Sequence, residues 1–258
     1  MTSSTNRPNP WVLASDIDHT LTGDAGALQQ LGQQLTALRE QGRLCLVLTT
    51  GRTLAEVLAG FERENIPRAD AIITQVGTEI YLPPFSADMN PLAAWETRLR
   101  SQFSRRQALE FLDGVAGAEI QPEHYNTPLK ASFYLDKTPN PDQAAARVQQ
   151  RVVQAGDAYQ VVWSSGKHLD ILPAAAGKGN AVRFLIRYLE LAPARVIAAG
   201  DSGNDHSMLA ELDYGIIVAN AQPELKRLKD EKPSSRLYFA KKPFAAGVEE
   251  GLRHWGML

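Results

Sequence analysis

Short, wholly apolar runs punctuate this chain and alternate with stretches in which apolar residues recur every three or four positions. Trp11–Ser15, Arg43–Thr50, Ala71–Val76, Arg195–Gly200 and Gly215–Ala219 are the runs. They lack in/out alternation, so each predicts a strand buried on both faces. Between the first two, Leu28, Leu31, Leu35 and Leu38 share one face of a helix over 24–41 that Gly42 stops. Further helices are predicted from near Thr53 and over 178–190, 205–211 and 222–230, and Glu79–Leu82 is expected to pair back on the third run. Buried strands alternating with helices predict a doubly wound, Rossmann-like α/β core around a parallel sheet.

The middle of the chain follows another pattern. From about Pro83 to Ser164 turn residues thicken, and Lys130–Leu135 and Tyr159–Trp163 alternate like half-exposed strands around a helix near 141–155. Core-type strands resume afterwards. The expected organisation is therefore a disordered leader over 1–10, a discontinuous core over 11–82 and 165–258, and an inserted α+β module over 83–164.

Composition narrows the function. The 258 residues carry 27 Lys+Arg against 29 Asp+Glu, a formal charge of −2, which argues against a nucleic-acid binder. Cys45 is the only cysteine, removing internal disulfides and Cys-rich zinc sites. No apolar run approaches the roughly 20 residues that span a bilayer, and the first ten residues lack the apolar segment of a secretory signal. A cytoplasmic, monomeric protein is the expectation. Of His19, His124, His168, His206 and His254, no two have metal-ligand spacing, so none is read as a zinc ligand.

Chemistry concentrates where the apolar runs end. Asp16-Ile17-Asp18-His19-Thr20 leaves the first strand, and residues i and i+2 of an extended segment project to one side. Asp16 and Asp18 would then converge, and two close carboxylates need a cation or a shared proton. Such a pair suits phosphoryl transfer, one Asp attacking phosphorus and the other protonating the leaving oxygen; it also suits a solvated turn or a helix cap. Gly200-Asp201-Ser202-Gly203-Asn204-Asp205 leaves the fourth core strand and offers hard oxygen ligands of the kind Mg²⁺ takes. Thr49-Thr50-Gly51-Arg52 ends the second strand, where the Thr50 hydroxyl and the Gly51 N–H could bind a phosphate oxygen. Lys178 lies in Ala176-Gly177-Lys178-Gly179-Asn180, which is no Walker A loop, because Leu172 replaces its first glycine and Gly179 its Ser/Thr. A phosphomonoester dianion beside Asp16 and Asp201 would gather roughly four negative charges, which Mg²⁺, Lys178 and nearby amides would offset.

The order DxDxT, Thr-Gly-Arg, Lys, GDSGND over residues 16–205 resembles the haloacid dehalogenase superfamily of phosphohydrolases, and the insertion resembles that superfamily's C2-type cap. The resemblance implies Asp16 as nucleophile, Asp18 as general acid/base, and Thr50 with Lys178 on the phosphate. It further implies Mg²⁺ held by the Asp16 side chain, the Asp18 carbonyl and Asp201, with Asp205 in support. Trp163–Pro173 (WSSGKHLDILP), Val218–Leu225 (VANAQPEL), Gln75–Tyr81 and Gly251–Gly256 are similar to the sucrose-phosphate phosphatase family and its mannosylfructose-phosphate relatives. One position departs: His19 stands where the sucrose enzymes typically carry Asn and many relatives Gly. The resemblance makes Glu79, Lys130, Ser165, Lys167 and Asn204 candidates for sugar contacts, while Trp163 is expected either under a sugar ring or in a core. The leading expectation is a Mg²⁺-dependent sugar phosphatase, sucrose 6-phosphate first. Its alternatives are another glycoside phosphate (mannosylfructose phosphate or a phosphoglycerate glycoside), a phosphosugar mutase, or an idle partner of a sugar-phosphate synthase. Docking to such a synthase is compatible with activity.

Overall fold

The computed structural model of the chain describes residues 10–100, 103–191, 195–231 and 234–258. In chain order the elements are β1 (Trp11–Asp16), α1 (Ala25–Glu40), β2 (Leu44–Thr49), α2 (Leu54–Arg63), β3 (Ala71–Thr74), β4 (Glu79–Tyr81), α3 (Ala93–Arg100), α4 (Arg105–Glu110), β5 (Glu119–Ile120), β6 (Ala131–Tyr134), α5 (Pro141–Gln154), β7 (Tyr159–Ser164) and β8 (His168–Pro173). They continue with α6 (Lys178–Tyr188), β9 (Arg195–Gly200), α7 (His206–Glu211), β10 (Tyr214–Ile217), α8 (Pro223–Lys226), α9 (Leu228–Glu231), β11 (Leu237–Phe239) and α10 (Phe244–His254).

Among the described residues these strands form two sheets. The larger has the order β11-β10-β9-β1-β2-β3-β4 and is parallel except where β4 turns back antiparallel to β3. The apolar runs fill it: Val12, Leu13 and Ala14 of β1 and Leu46, Val47 and Leu48 of β2 have no exposed surface. Helix α1 lays its Leu28, Leu31, Leu35 and Leu38 face on the core and starts where the Asp24 side chain accepts from the Gly26 and Ala27 N–H groups. Strand β1 is where the winding reverses, with β2 and β3 on one side and β9, β10 and β11 on the other. Ligands of such sheets sit in the crevice at the strands' carboxyl ends at this reversal. Asp16 is the last residue of β1, and Asp201 directly follows β9.

The smaller sheet, β5-β6-β8-β7, is antiparallel. One face packs on α4 and α5 through Phe133, Leu169 and Ile171 against Ala108, Val148 and Val152. The alternate residues, Tyr134, His168 and Asp170, turn to the crevice above β1.

Several details differ from expectation. The module does not end at residue 164: β8 belongs to the smaller sheet, because Leu169 and Ile171 complete its core while His168 and Asp170 face the crevice. Helix α3 falls inside the expected insertion, yet Trp95 and Leu99 join the larger core, and Trp95 Nε1 donates to the Gly77 carbonyl at 3.1 Å. The helix expected over 222–230 is two short helices, α8 and α9, parted at Arg227. The expected leader lies outside the described residues except for Pro10. Among the described residues, no helix is long and apolar enough to cross a membrane.

Candidate active site

Lys178 is the hub. It is the first residue of α6, follows Gly177 at φ +95°, and is fully buried. A side chain on Gly77 would put its Cβ 2.3 Å from the Gly177 carbonyl carbon, so the absence of one lets the two loops touch and seat the lysine. Its Nζ donates to Asp16 Oδ1 at 2.6 Å, Asn204 Oδ1 at 2.7 Å and Asp205 Oδ1 at 2.7 Å. Three acceptors match the three protons of an ammonium. Burial alone would lower the lysine's pKa, but Asp16 and Asp205 outweigh it and hold the group above the ordinary lysine value.

Around that ammonium, one carboxylate oxygen each from Asp16, Asp201 and Asp205 lies within 4.8 Å of the others, and all three residues are buried. Three carboxylates against one ammonium leave a deficit of two positive charges. Burial, then the neighbouring Asp205, raises the Asp16 pKa well above the carboxylate range; burial, then Asp16, does the same to Asp201. A cluster of this kind takes up protons or a divalent cation, and its all-oxygen donor set fits Mg²⁺. The donors are unequal. Asp205 spends Oδ1 on Lys178 and Oδ2 on the Asp201 and Ser202 N–H groups at 3.0 and 3.2 Å. It buttresses the loop through Oδ2 and shares Oδ1 with Lys178 at the edge of the cluster. Asp201 Oδ1 accepts weakly from Thr20 Oγ1 at 3.3 Å.

Asp18 lines the same cleft as Asp16, but its carboxylate pairs with Arg52 and lies outside the three-acid cluster. β1 ends at Asp16 and the chain turns at once, the Leu21 and Thr22 N–H groups both donating to the Ile17 carbonyl, so strand alternation no longer applies. The Asp18 carboxylate is gripped by Arg52, with Nη2–Oδ1 2.7 Å and Nε–Oδ2 3.0 Å, and Arg52 forks on to Glu64 at 2.6 and 2.9 Å. Only the Asp18 main-chain carbonyl is left as the metal ligand the resemblance implies. His19, at φ +59°, explains the departure noted in the sequence: this left-handed position suits Gly and Asn, and His is among the side chains that tolerate it.

Above these groups opens a cleft of about 360 Å³, lined at its base by Asp16, Asp201 and Gly51 and at its roof by Lys130, Tyr134 and Asp170 of the smaller sheet. Lys130 and Asp170 are almost fully buried and lie 3.6 Å apart, and the Ser132 hydroxyl donates to the same Asp170 oxygen. Ser165 and Asn204 also line the cleft, as expected. Glu79 and Lys167 do not. Glu79 accepts from Thr74 Oγ1 and Tyr81 Oη at 2.8 and 2.9 Å, and Lys167 pairs with Asp136 at 3.7 Å over the Tyr134 ring. Thr50 is wholly buried behind the wall, its Oγ1 accepting from the Arg52 N–H at 3.0 Å. Trp163 packs against the smaller core. The sequence reading did not assign Arg52, Gln121, Tyr125 or Asp170, all of which line the cleft. Asp170 carried a usable signal, a single acid inside the apolar stretch Leu169–Leu172; Gln121 and Tyr125 carried none.

Residues 9–256 match the family model described as sucrose-6F-phosphate phosphohydrolase. A mannosylfructose-phosphate phosphatase of Agrobacterium fabrum is 34% identical over 95% of this chain and 97% of its own length. Sucrose-phosphatase 1 of Nicotiana tabacum is 31% identical over 95% of this chain, which spans only 59% of that relative. The sucrose-phosphatase of Synechocystis sp. PCC6803, solved in complex with sucrose and phosphate, superposes with a TM-score of 0.88 at 31% identity, covering 96% of this chain and 98% of that one.

Proposed function

Because the chain belongs to the sucrose-6F-phosphate phosphohydrolase family, within the haloacid dehalogenase superfamily, we propose that the sugar phosphate it hydrolyses is sucrose 6-phosphate. The observation that carries this reading is the two-ended cleft: a base at Asp16, Asp201 and Gly51, with Lys178 buried behind Asp16, and a polar roof at Lys130 and Asp170 suited to sugar hydroxyls.

In this reading Lys178 fixes Asp16 through Oδ1, leaving Oδ2 to attack phosphorus as the bond to the sugar oxygen breaks. Asp18, swung off Arg52, gives the departing oxygen a proton. It then takes a proton from water, whose oxygen attacks the aspartyl-phosphate; the bond to Asp16 breaks and inorganic phosphate leaves. The Gly51 N–H faces the phosphoryl oxygens, and Asp205 keeps the Asp201 loop in place. Asp16, Asp201 and the Asp18 carbonyl would hold Mg²⁺, which would supply the two charges missing from the cluster and Lewis-acid stabilisation of the phosphoryl group. The roof closes over the sugar and excludes water.

The 34% relative favours a second reading, mannosylfructose phosphate, at the same site. Phosphate release from a panel of both disaccharide phosphates, glucose 6-phosphate and a phosphoglycerate glycoside, with Mg²⁺ and with EDTA, tests both. Metal-dependent preference for sucrose 6-phosphate is expected. A preference for mannosylfructose phosphate would replace that substrate, and an isomeric sugar phosphate as product would replace hydrolysis by a mutase.

A further inference from the structure

The segment 218–225, VANAQPEL, takes no part in the chemistry, yet its polar groups reach three loops of the site. Asn220 Nδ2 donates to the His19 carbonyl at 2.7 Å while its Oδ1 accepts from the Phe244 N–H at 2.9 Å. The Gln222 N–H donates to the Asp201 carbonyl at 2.7 Å. Glu224 does something different, because a single oxygen, Oε1, accepts from two modules: the Ser165 N–H at 3.0 Å and the Gly203 N–H at 3.3 Å.

Ser165 and Gly166, at φ +56° and +60°, open the three-residue turn 165–167 between β7 and β8. Gly203 begins the turn that carries Asn204 and Asp205 onto Lys178. The two backbones are in direct contact: a Cβ on Gly203 would lie 2.0 Å from the Trp163 carbonyl oxygen. Ser165 and Asn204 line the same cleft. Glu224 thus joins the wall of the smaller sheet to the loop behind the reacting phosphate by two main-chain hydrogen bonds donated to one carboxyl oxygen.

The geometry points to Glu224 as a positioning residue that sets the register of the β7–β8 turn against the Asp201–Asp205 loop, so that sugar and phosphate are held at one spacing. The inference rests on the sugar-phosphatase reading for its kinetic consequence, and on hydrogen bonding alone for its structural one. A substrate that fills both ends of the cleft depends on the tie; a small aryl phosphate that fills only the base depends on it less.

The test compares Glu224→Ala and Glu224→Gln in the full chain. For Glu224→Ala, kcat/KM for the preferred disaccharide phosphate is expected to fall by about tenfold or more, the loss of a charge-assisted hydrogen bond, while that for p-nitrophenyl phosphate falls less than about threefold. Glu224→Gln, which keeps a carbonyl oxygen, is expected to recover most of the loss. Hydrogen exchange on the same proteins reads the tie without any substrate: the Ser165 and Gly203 amides should lose protection together in Glu224→Ala, with the β1 and β2 amides unchanged. Equal losses on both substrates, or unchanged protection at the two amides, overturns the proposal. Absence of turnover on every sugar phosphate by the native chain would instead overturn the sugar-phosphatase reading, and the exchange result would still decide the tie.

Discussion

Replacing Asp201 by Asn should stabilise the metal-free protein while disabling the enzyme. The side chain faces two like charges, Asp16 and Asp205, within 4.8 Å, and one opposite charge, Lys178. At an effective dielectric of about 20, two unit charges 4.8 Å apart repel by about 3.5 kcal/mol. Two repulsions less one comparable attraction leave about 3 kcal/mol to be relieved by an amide of nearly the same shape. The pH dependence fixes the sign. Burial and Asp16 raise the Asp201 pKa in the folded state, so folding retains a proton that the unfolded chain has released. The penalty is absent below the unfolded carboxylate value, near pH 4, grows as pH rises, and is complete only above the folded-state value of about 8. Urea unfolding in EDTA should therefore show Asp201→Asn equal to the native chain near pH 4 and about 3 kcal/mol more stable near pH 9, with an unchanged m-value. Mg²⁺ at a thousand times its Kd should reverse the order, since a ligand at that excess adds about 4.1 kcal/mol only where it binds, and phosphate release by the variant should fall by about a hundredfold or more. A variant less stable than the native chain in EDTA at pH 9 would show that the cluster is not under repulsion, and the charge-deficit argument for a divalent cation would fail with it.

Three further outcomes are expected. Lys130→Met strands the buried Asp170 carboxylate and should cost about 3 kcal/mol in urea unfolding, with a KM for the sugar phosphate raised more than that for p-nitrophenyl phosphate; adding Asp170→Leu should restore most of the stability and none of the sugar affinity, and a double variant as unstable as the single one would refute the pairing. Gly203→Ala drives a Cβ into the Trp163 carbonyl and should lower both the melting temperature and kcat/KM, by about tenfold for the latter, whereas a neutral result would mean that the two backbones can part freely. Burial, outweighing Asp170, lowers the His168 pKa, so the folded state refuses a proton that the unfolded chain accepts. The corresponding stability is whole above about pH 6.5 and drains away as pH falls below it; His168→Gln should flatten this part of a urea-midpoint series between pH 7 and 5, and parallel curves would exclude the histidine as its source.

The larger sheet was legible because a strand buried on both faces must be apolar throughout, as β1, β2 and β9 are, and because the chemistry-bearing residues cluster where such strands end. Asp16 and Asp201 followed from that logic, whereas Lys178, which opens α6, rested on the resemblance. Pairing within the smaller module was harder to read, since β8 owes its place to a partner, β6, more than thirty residues earlier, and His168 and Asp170 look like loop polarity until the crevice is known. Asp18 reaches the same cleft as Asp16 by a turn and not by strand alternation, because β1 stops two residues before it. Glu79 and Lys167 misled for a tertiary reason, each finding its partners, Tyr81 and Asp136, away from the cleft. Arg52 was visible as a basic residue after a turn glycine, but nothing local said that it would join Asp18 to Glu64.

The division between the two sheets has an evolutionary consequence. Asp16, Lys178, Asp201 and Asp205 lie outside the stretch from α4 to β8, and Lys130, Tyr134 and Asp170 inside it. Selectivity can drift by mutation of one contiguous length of polypeptide while the hydrolytic apparatus is inherited intact, and a foreign roof could in principle be grafted between α3 and Pro173. The graft would have to bring a main-chain N–H to where Ser165 offers one, because Glu224, its acceptor, stays behind with the recipient.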